Sequence, residues 1–186
     1  MFSFALMINV KKYYNAIPKG SLIENQYDKP DYCDYYKVEL PNEQIVKPSE
    51  LMKMYIKSWP IWFKFLILIR DVCALVVGLK ISLNKNLKKE FLNFNGNIGE
   101  KISLFKVLKS SEKELLTGAD DKHLDFRHSF IIETLNKKTT MIIATSLVYN
   151  NRLGIAYFKF VRPIHKKLIS NSLRKVAIIL NEKSNK

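Results

Sequence analysis

The chain has 186 residues, 47% of them hydrophobic and 12% aromatic, which is ample for one substantial core and excludes a disordered polypeptide. Its formal net charge of +14 favours acidic partners such as nucleic acid or an anionic membrane surface, through counterion release and long-range attraction. The lysines are scattered among asparagine and isoleucine, however, and neither zinc-finger spacing nor an aromatic RNP-type strand is present. A solvated basic surface therefore accounts for the charge, and nucleic acid is not the expected partner.

Met1 to Val10 is apolar but has no positive n-region and no small-x-small cleavage site before Lys11-Lys12, so it reads as the lead-in to a first strand. Asn15 to Asp31 carries Pro18, Gly20 and Pro30 among polar residues and reads as an irregular connection. In Tyr32 to Leu40, Tyr36, Val38 and Leu40 alternate with Lys37 and Glu39, as in a strand with one buried face, and Pro41 ends it. Pro48-Ser49-Glu50 is a helix start, with Ser49 as cap and Glu50 well placed against the helix dipole, so a helix is expected from about Glu50 to Lys57.

Ser58 and Pro60 open a second expected helix, with Trp62, Leu66, Ile69, Cys73 and Val76 at helical spacing and Gly78 at its end. Phe63, Ile67 and Ala74 make its other sides apolar, so it should be covered on most sides, and Arg70 and Asp71 must pair or reach water. Lys64, Arg70 and Asp71 interrupt the apolar run from Trp59 to Leu79 well short of the roughly 18 residues that a membrane span requires. The two cysteines, Cys33 and Cys73, are expected to be reduced and buried, and the chain to be soluble and cytoplasmic.

Lys80 to Gly99 is rich in lysine and asparagine and reads as an exposed loop. Strands are then expected over Ile102 to Lys109, from Glu114 to Thr117, from about Lys122 to Thr134 and over Thr139 to Tyr149, the last two joined at Asn136-Lys137-Lys138, which makes an antiparallel meander. After Asn150-Asn151 the period becomes helical. Leu153, Tyr157, Phe160, Ile164, Leu168, Leu173, Val176 and Leu180 form one apolar stripe, with Arg162, Lys166, Lys167, Arg174 and Lys175 opposite and a kink expected at Pro163. The order of elements is α+β in a single domain.

The most informative stretch runs from Asp120 to Phe130. Asp121, His123, Asp125, Arg127 and Ser129 occupy every second position, so on a strand they share one face, with Leu124, Phe126 and Phe130 on the other. Such a face can bind or catalyse: His123 could move a proton, Asp121 or Asp125 could orient its ring, and Arg127 could stabilise developing negative charge. It is also how an ordinary exposed strand looks, with Asp125 and Arg127 paired across strands for little energy. His123, Asp125 and His165 or His128 are acceptable metal-ligand types without a recognised spacing, so no metal is expected. No nucleophile elbow is present.

This order resembles the helix-grip fold of the START-like lipid-transfer and polyketide-cyclase (SRPBCC) superfamily, and within it an uncharacterised bacterial domain family that also occurs behind NAD(P)-binding, epimerase-like domains. The resemblance runs through Asp31 to Pro41, Pro60-Ile61-Trp62, Ile69-Arg70-Asp71, Gly78-Leu79, Leu104 to Val107 and Gly118 to Arg127. It continues with Asn150 to Gly154, Tyr157, Pro163 and His165, and covers about Pro18 to Leu180. It implies a curved antiparallel sheet wrapped around the C-terminal helix, with an internal cavity. The glycine-rich loop of a dinucleotide-binding domain is missing, so any Rossmann-type partner domain is expected to be absent or on another polypeptide.

The expected function is the binding of a small hydrophobic molecule, whether lipid, polyketide or aromatic, between sheet and helix. Trp62, Asp121, Tyr157, Phe160 and His165 would contact it, and His123, Asp125 and Arg127 would supply polar or catalytic groups. The alternatives are a cyclase or isomerase using His123 and Asp125 as acid and base, and a peripheral membrane or polyanion binder that uses the basic side of the last helix. No cofactor is expected.

Overall fold

A computed structural model describes residues 8–61, 63 and 87–184. The expectations for Trp62, Arg70, Asp71 and Cys73 lie outside the described residues.

Alternation in the first half of the chain builds a strand with two unlike faces. β1 (Lys11–Tyr14) pairs with β2 (Tyr32–Leu40), in which Tyr32, Asp34, Tyr36, Val38 and Leu40 all point to the buried side. α1 (Pro48–Lys57) starts two residues earlier than expected. Pro48 occupies its first turn, where a missing N–H costs nothing, and the Glu50 carboxylate accepts the Lys47 amide at 3.2 Å. Leu51, Met52 and Tyr55 form its buried face.

α2 (Leu87–Asn93) stands where a loop was expected. Lys53 and Lys57 of α1 lie over the ring of its Phe91, and the Glu90 carboxylate accepts the Ser103 amide and pairs with Lys101. Tertiary contacts thus hold a helix that its lysine- and asparagine-rich composition does not announce.

The meander follows as β3 (Lys101–Ile102), β4 (Phe105–Ser110), β5 (Glu114–Asp120), β6 (Leu124–Leu135) and β7 (Lys138–Tyr149), and α3 (Arg152–Ser184) closes the chain. The strands form one curved antiparallel sheet in the order β1-β2-β7-β6-β5-β4-β3, so β2 and β3, consecutive in the chain, lie towards opposite edges of it. Pro163 lies within α3 without ending it.

The inner sheet face, α1 and the C-terminal half of α3 share the main core, which includes Tyr36, Phe130, Ile143, Ile169, Leu173 and Val176. The outer face has its own small cluster of Ile23, Leu116 and Ala144, supplied partly by the irregular segment before β2. Glu114 ties that segment down, its carboxylate accepting the Leu22 amide at 2.7 Å and the buried Ser129 hydroxyl. Among the described residues no helix is long and apolar enough to cross a membrane.

Candidate functional site

Regular strand geometry in β6 begins only at Leu124. From there Phe126, His128 and Phe130 face α3 together with their cross-strand partners Leu147, Thr145 and Ile143, whereas Asp125, Arg127 and Ser129 face the other way. Burial of the apolar residues decides which side turns inward, since each fully buried large side chain contributes roughly 1.5–3 kcal/mol. The polar alternation that marks this strand in sequence therefore lies on the outer face of the sheet.

Between the inner face and the N-terminal half of α3 is a cavity of about 210 Å³. Most of its described wall is apolar or aromatic: Tyr55, Trp59, Phe105, Leu124, Phe126 and Leu147 from the α1 and sheet side, and Tyr157, Phe158, Val161 and Leu168 from α3. Beside Ser103, ionisable side chains enter that described wall in two places.

The first is built around His128 on β6, His165 on α3 and Asp34 on β2. His128 is 4% exposed, with the rings of Phe130, Phe105 and Tyr55 centred 5.3, 5.8 and 5.9 Å away. Its Nδ1 lies 3.2 Å from Thr145 Oγ1, and its Nε2 is buried with no hydrogen-bond partner among the described residues. Burial, and next the neighbouring His165, push its pKa down to about 3 against a weaker upward pull from Asp34, so the ring is neutral near pH 7.

His165 Nε2 is 3.3 Å from Asp34 Oδ1, and the Tyr32 hydroxyl donates to Asp34 Oδ2. Burial alone would raise the Asp34 pKa. The hydrogen bond and charge of His165, then the Tyr32 hydroxyl, outweigh it and hold the carboxyl below its ordinary value. Burial and the carboxylate together push the Tyr32 phenol up, so it stays a donor. The arrangement is an imidazole oriented by a buried carboxylate.

The second polar place is the β5–β6 turn, where His123 and Asp121 reach the cavity. His123 Nδ1 lies 3.5 Å from Asp121 Oδ2, and its ring meets Tyr157 edge-on at 5.2 Å. Two asparagines hold this turn against the start of α3. The Asn150 side-chain amide donates to the Asp121 carbonyl at 2.7 Å and to Asp125 Oδ1 at 2.9 Å. Asn151 donates to the Lys122 carbonyl at 2.7 Å and accepts the Gly154 amide at 3.1 Å as a helix cap.

Four expectations change. Asp125 lies outside the cavity, accepting the Asp121 amide at 2.9 Å, and so acts as a brace of the turn rather than a group facing a ligand. Arg127 also lies outside, pairing with Asp120 at 2.6 Å and covering the ring of Tyr27 at 5.2 Å. Phe160 is 73% exposed, and Phe158 and Val161 line the cavity in its place. Both sides of α3 are apolar near its start, so the stripe read from Leu153 through Phe160 is offset from the face that packs. The basic side of α3 is also partly engaged, with Arg162 over the Tyr32 ring at 5.0 Å and Lys166 over Tyr14 at 3.9 Å.

Asp121, His123, Tyr157 and His165 do meet at the cavity. Asp34, Tyr32 and His128 are the members that sequence reasoning missed as a site. A signal existed, because the Tyr36–Val38–Leu40 alternation extended backwards places Asp34 on the buried face of its strand. No group of three or more His, Cys, Asp or Glu side chains suited to a metal ion occurs among the described residues.

Residues 26–172 match the model of a protein family of unknown function, DUF2867. The chain belongs to that family. The matched span contains Tyr32, Asp34, His123, His128, Asn150, Asn151 and His165, so the DUF2867 region holds both polar places of the cavity. No curated protein and no solved structure matches this chain.

Proposed function

We propose that this chain is a small-molecule-binding module of helix-grip type, which holds one compact, largely apolar molecule between the inner sheet face and α3. The curved antiparallel sheet facing one long C-terminal helix supports the helix-grip reading. The observation that carries the binding reading is an apolar, aromatic-lined cavity between sheet and helix with His123, His128 and His165 among its lining residues. A volume of about 210 Å³ favours an aromatic or small polyketide-like molecule over a two-chain lipid.

Native against denaturing mass spectrometry of the purified chain tests the reading. The expected result is a dissociable apolar molecule at near one-to-one stoichiometry, or, for an apo mass, saturable binding of anilinonaphthalene sulfonate that Val161→Trp abolishes by filling the cavity. An apo mass together with dye binding unaffected by Val161→Trp overturns it.

A further inference from the structure

We propose that the cavity selects its ligand by charge: it takes a compact aromatic molecule that carries an amine and disfavours the carboxylic acid of the same shape. The inference rests on the binding reading above and gives that site a ligand class.

The charges of the wall point one way. The chain holds 31 lysines and arginines, yet none is among the described residues that line the cavity, and Asp121 is the one carboxylic acid among them. The three imidazoles do not reverse that sign. Burial keeps His128 neutral. His123 Nδ1 lies 3.5 Å from Asp121 Oδ2, and His165 Nε2 lies 3.3 Å from Asp34 Oδ1, so a proton gained by either ring is matched by the carboxylate beside it. The described wall and its backing are therefore neutral or negative in each of these protonation states. A ligand carboxylate would find no lysine or arginine in that wall and would meet Asp121 as a like charge, in apolar surroundings that screen little. An ammonium group would meet an opposite charge instead.

Asp121 is the group that would receive it. Its side chain keeps 10% of its surface accessible, and among the described residues no lysine or arginine pairs with it. Oδ1 accepts the Lys122 amide at 2.7 Å, which fixes the carboxylate on the β5–β6 turn. The ring of Tyr157 stands 5.2 Å from that of His123, so an acid and an aromatic side chain share this end of the cavity. Trp59, Phe105 and Phe126 line the wall as well, and the faces of aromatic rings attract an ammonium group while their area holds an apolar body. The net charge of +14 does not cancel this preference. Lys122, on the same turn, is exposed, and water and salt weaken the field of such exposed cations within about 8 Å at 0.15 M salt.

Three probes of one shape test it: 2-naphthylmethylamine, 2-naphthylmethanol and 2-naphthoate, titrated into the labelled full chain and followed by ¹H–¹⁵N NMR at pH 8, where an ordinary imidazole is mostly neutral. The amine is expected to bind about 10-fold or more tighter than the acid, with the alcohol between them. Asp121→Asn, which can still accept the Lys122 amide, should bring the amine to within about 3-fold of the alcohol and leave the alcohol unchanged. The same variant should tighten the binding of anilinonaphthalene sulfonate, an anion, and lost folding would not produce opposite shifts for the two probes. Asp120→Asn removes an equal charge from a side chain that is 66% exposed and pairs with Arg127, and it should leave the order of the probes intact. An acid that binds as tightly as the amine, or an amine preference that survives Asp121→Asn, overturns the proposal. Equal binding of all three probes overturns charge selection and leaves the binding reading standing. If no probe shifts the cavity signals, charge selection falls too, and the binding reading is judged on the co-purified mass and the dye experiment alone.

Discussion

A Cβ placed on Gly154 would lie 1.9 Å from the carbonyl oxygen of His123. The first turn of α3 and the β5–β6 turn are therefore in backbone contact, and the partner atom belongs to main chain that cannot swing away. Gly154→Ala sets a helix-propensity gain of up to about 1 kcal/mol against that overlap. The overlap should win, with a net loss of about 1–3 kcal/mol in urea unfolding. Imidazole resonances of His123 should move while those of His128, on the strand beyond, stay in place. Equal or greater stability in the variant would show that the two turns can separate freely.

Acid stability should depend on His128. Its folded-state pKa of about 3 lies below the ordinary histidine value, so between about pH 6.5 and 3 the unfolded chain binds a proton that the folded chain does not. Its contribution is complete above that window and falls as pH drops, by up to about 1.4 kcal/mol per unit. Asp34, with its pKa depressed, adds a loss of the same sign only below the ordinary carboxylate range. Urea unfolding at pH 4, 5, 6 and 7 should therefore show a shallower slope for His128→Phe than for the parent chain. Parallel slopes would mean that His128 titrates normally.

Arg127 offers the contrasting case of a conspicuous charge on the outer face. Its partner Asp120 is well exposed, so the ion pair is worth little in water. Arg127→Ala should cost no more than about 1 kcal/mol and leave cavity occupancy unchanged. Burial pushes the Tyr27 phenol up to about 12 while Arg127 pulls it down, so removing the guanidinium should raise that value further, as followed by absorbance at alkaline pH. A large drop in dye binding would place Arg127 at the cavity after all.

These contrasts explain what could be read from the chain. Periodicity marks β2, the meander and α3, because one-sided burial imposes spacings of two and 3.6 residues that Tyr36, Val38 and Leu40, or Leu173, Val176 and Leu180, display directly. α2 was not legible, since its lysines and asparagines read as loop and its support comes from Lys53, Lys57 and Lys101 elsewhere in the chain. The site was legible as a neighbourhood and not as a face. His123, Asp125 and Arg127 advertise chemistry by alternating, but alternation cannot say which side a ligand occupies. His128 sits among the apolar residues of the same strand and looks like core. Its neighbours Asp34 and His165 are 131 positions apart, and no local pattern records that they meet.

The Tyr32 hydroxyl is the part of this arrangement most easily isolated. Tyr32→Phe keeps the ring that packs on Phe158 at 4.8 Å and lies beneath Arg162 at 5.0 Å, so packing changes little and one donor to Asp34 disappears. The carboxylate is fully buried and would keep His165 as its main partner, with one oxygen less well satisfied. A cost of about 1–3 kcal/mol at pH 7 follows from leaving a buried acceptor short of a donor. The folded-state pKa of Asp34 should also rise towards its unfolded value. The stability that Asp34 contributes above the ordinary carboxylate pKa, and loses as pH falls through its folded pKa, should shrink accordingly. Urea midpoints at pH 7 and pH 3 read both effects: the variant should be clearly weaker at pH 7 and closer to the parent at pH 3. A constant difference at both values would locate the hydroxyl's effect in packing and remove the carboxylate from the explanation.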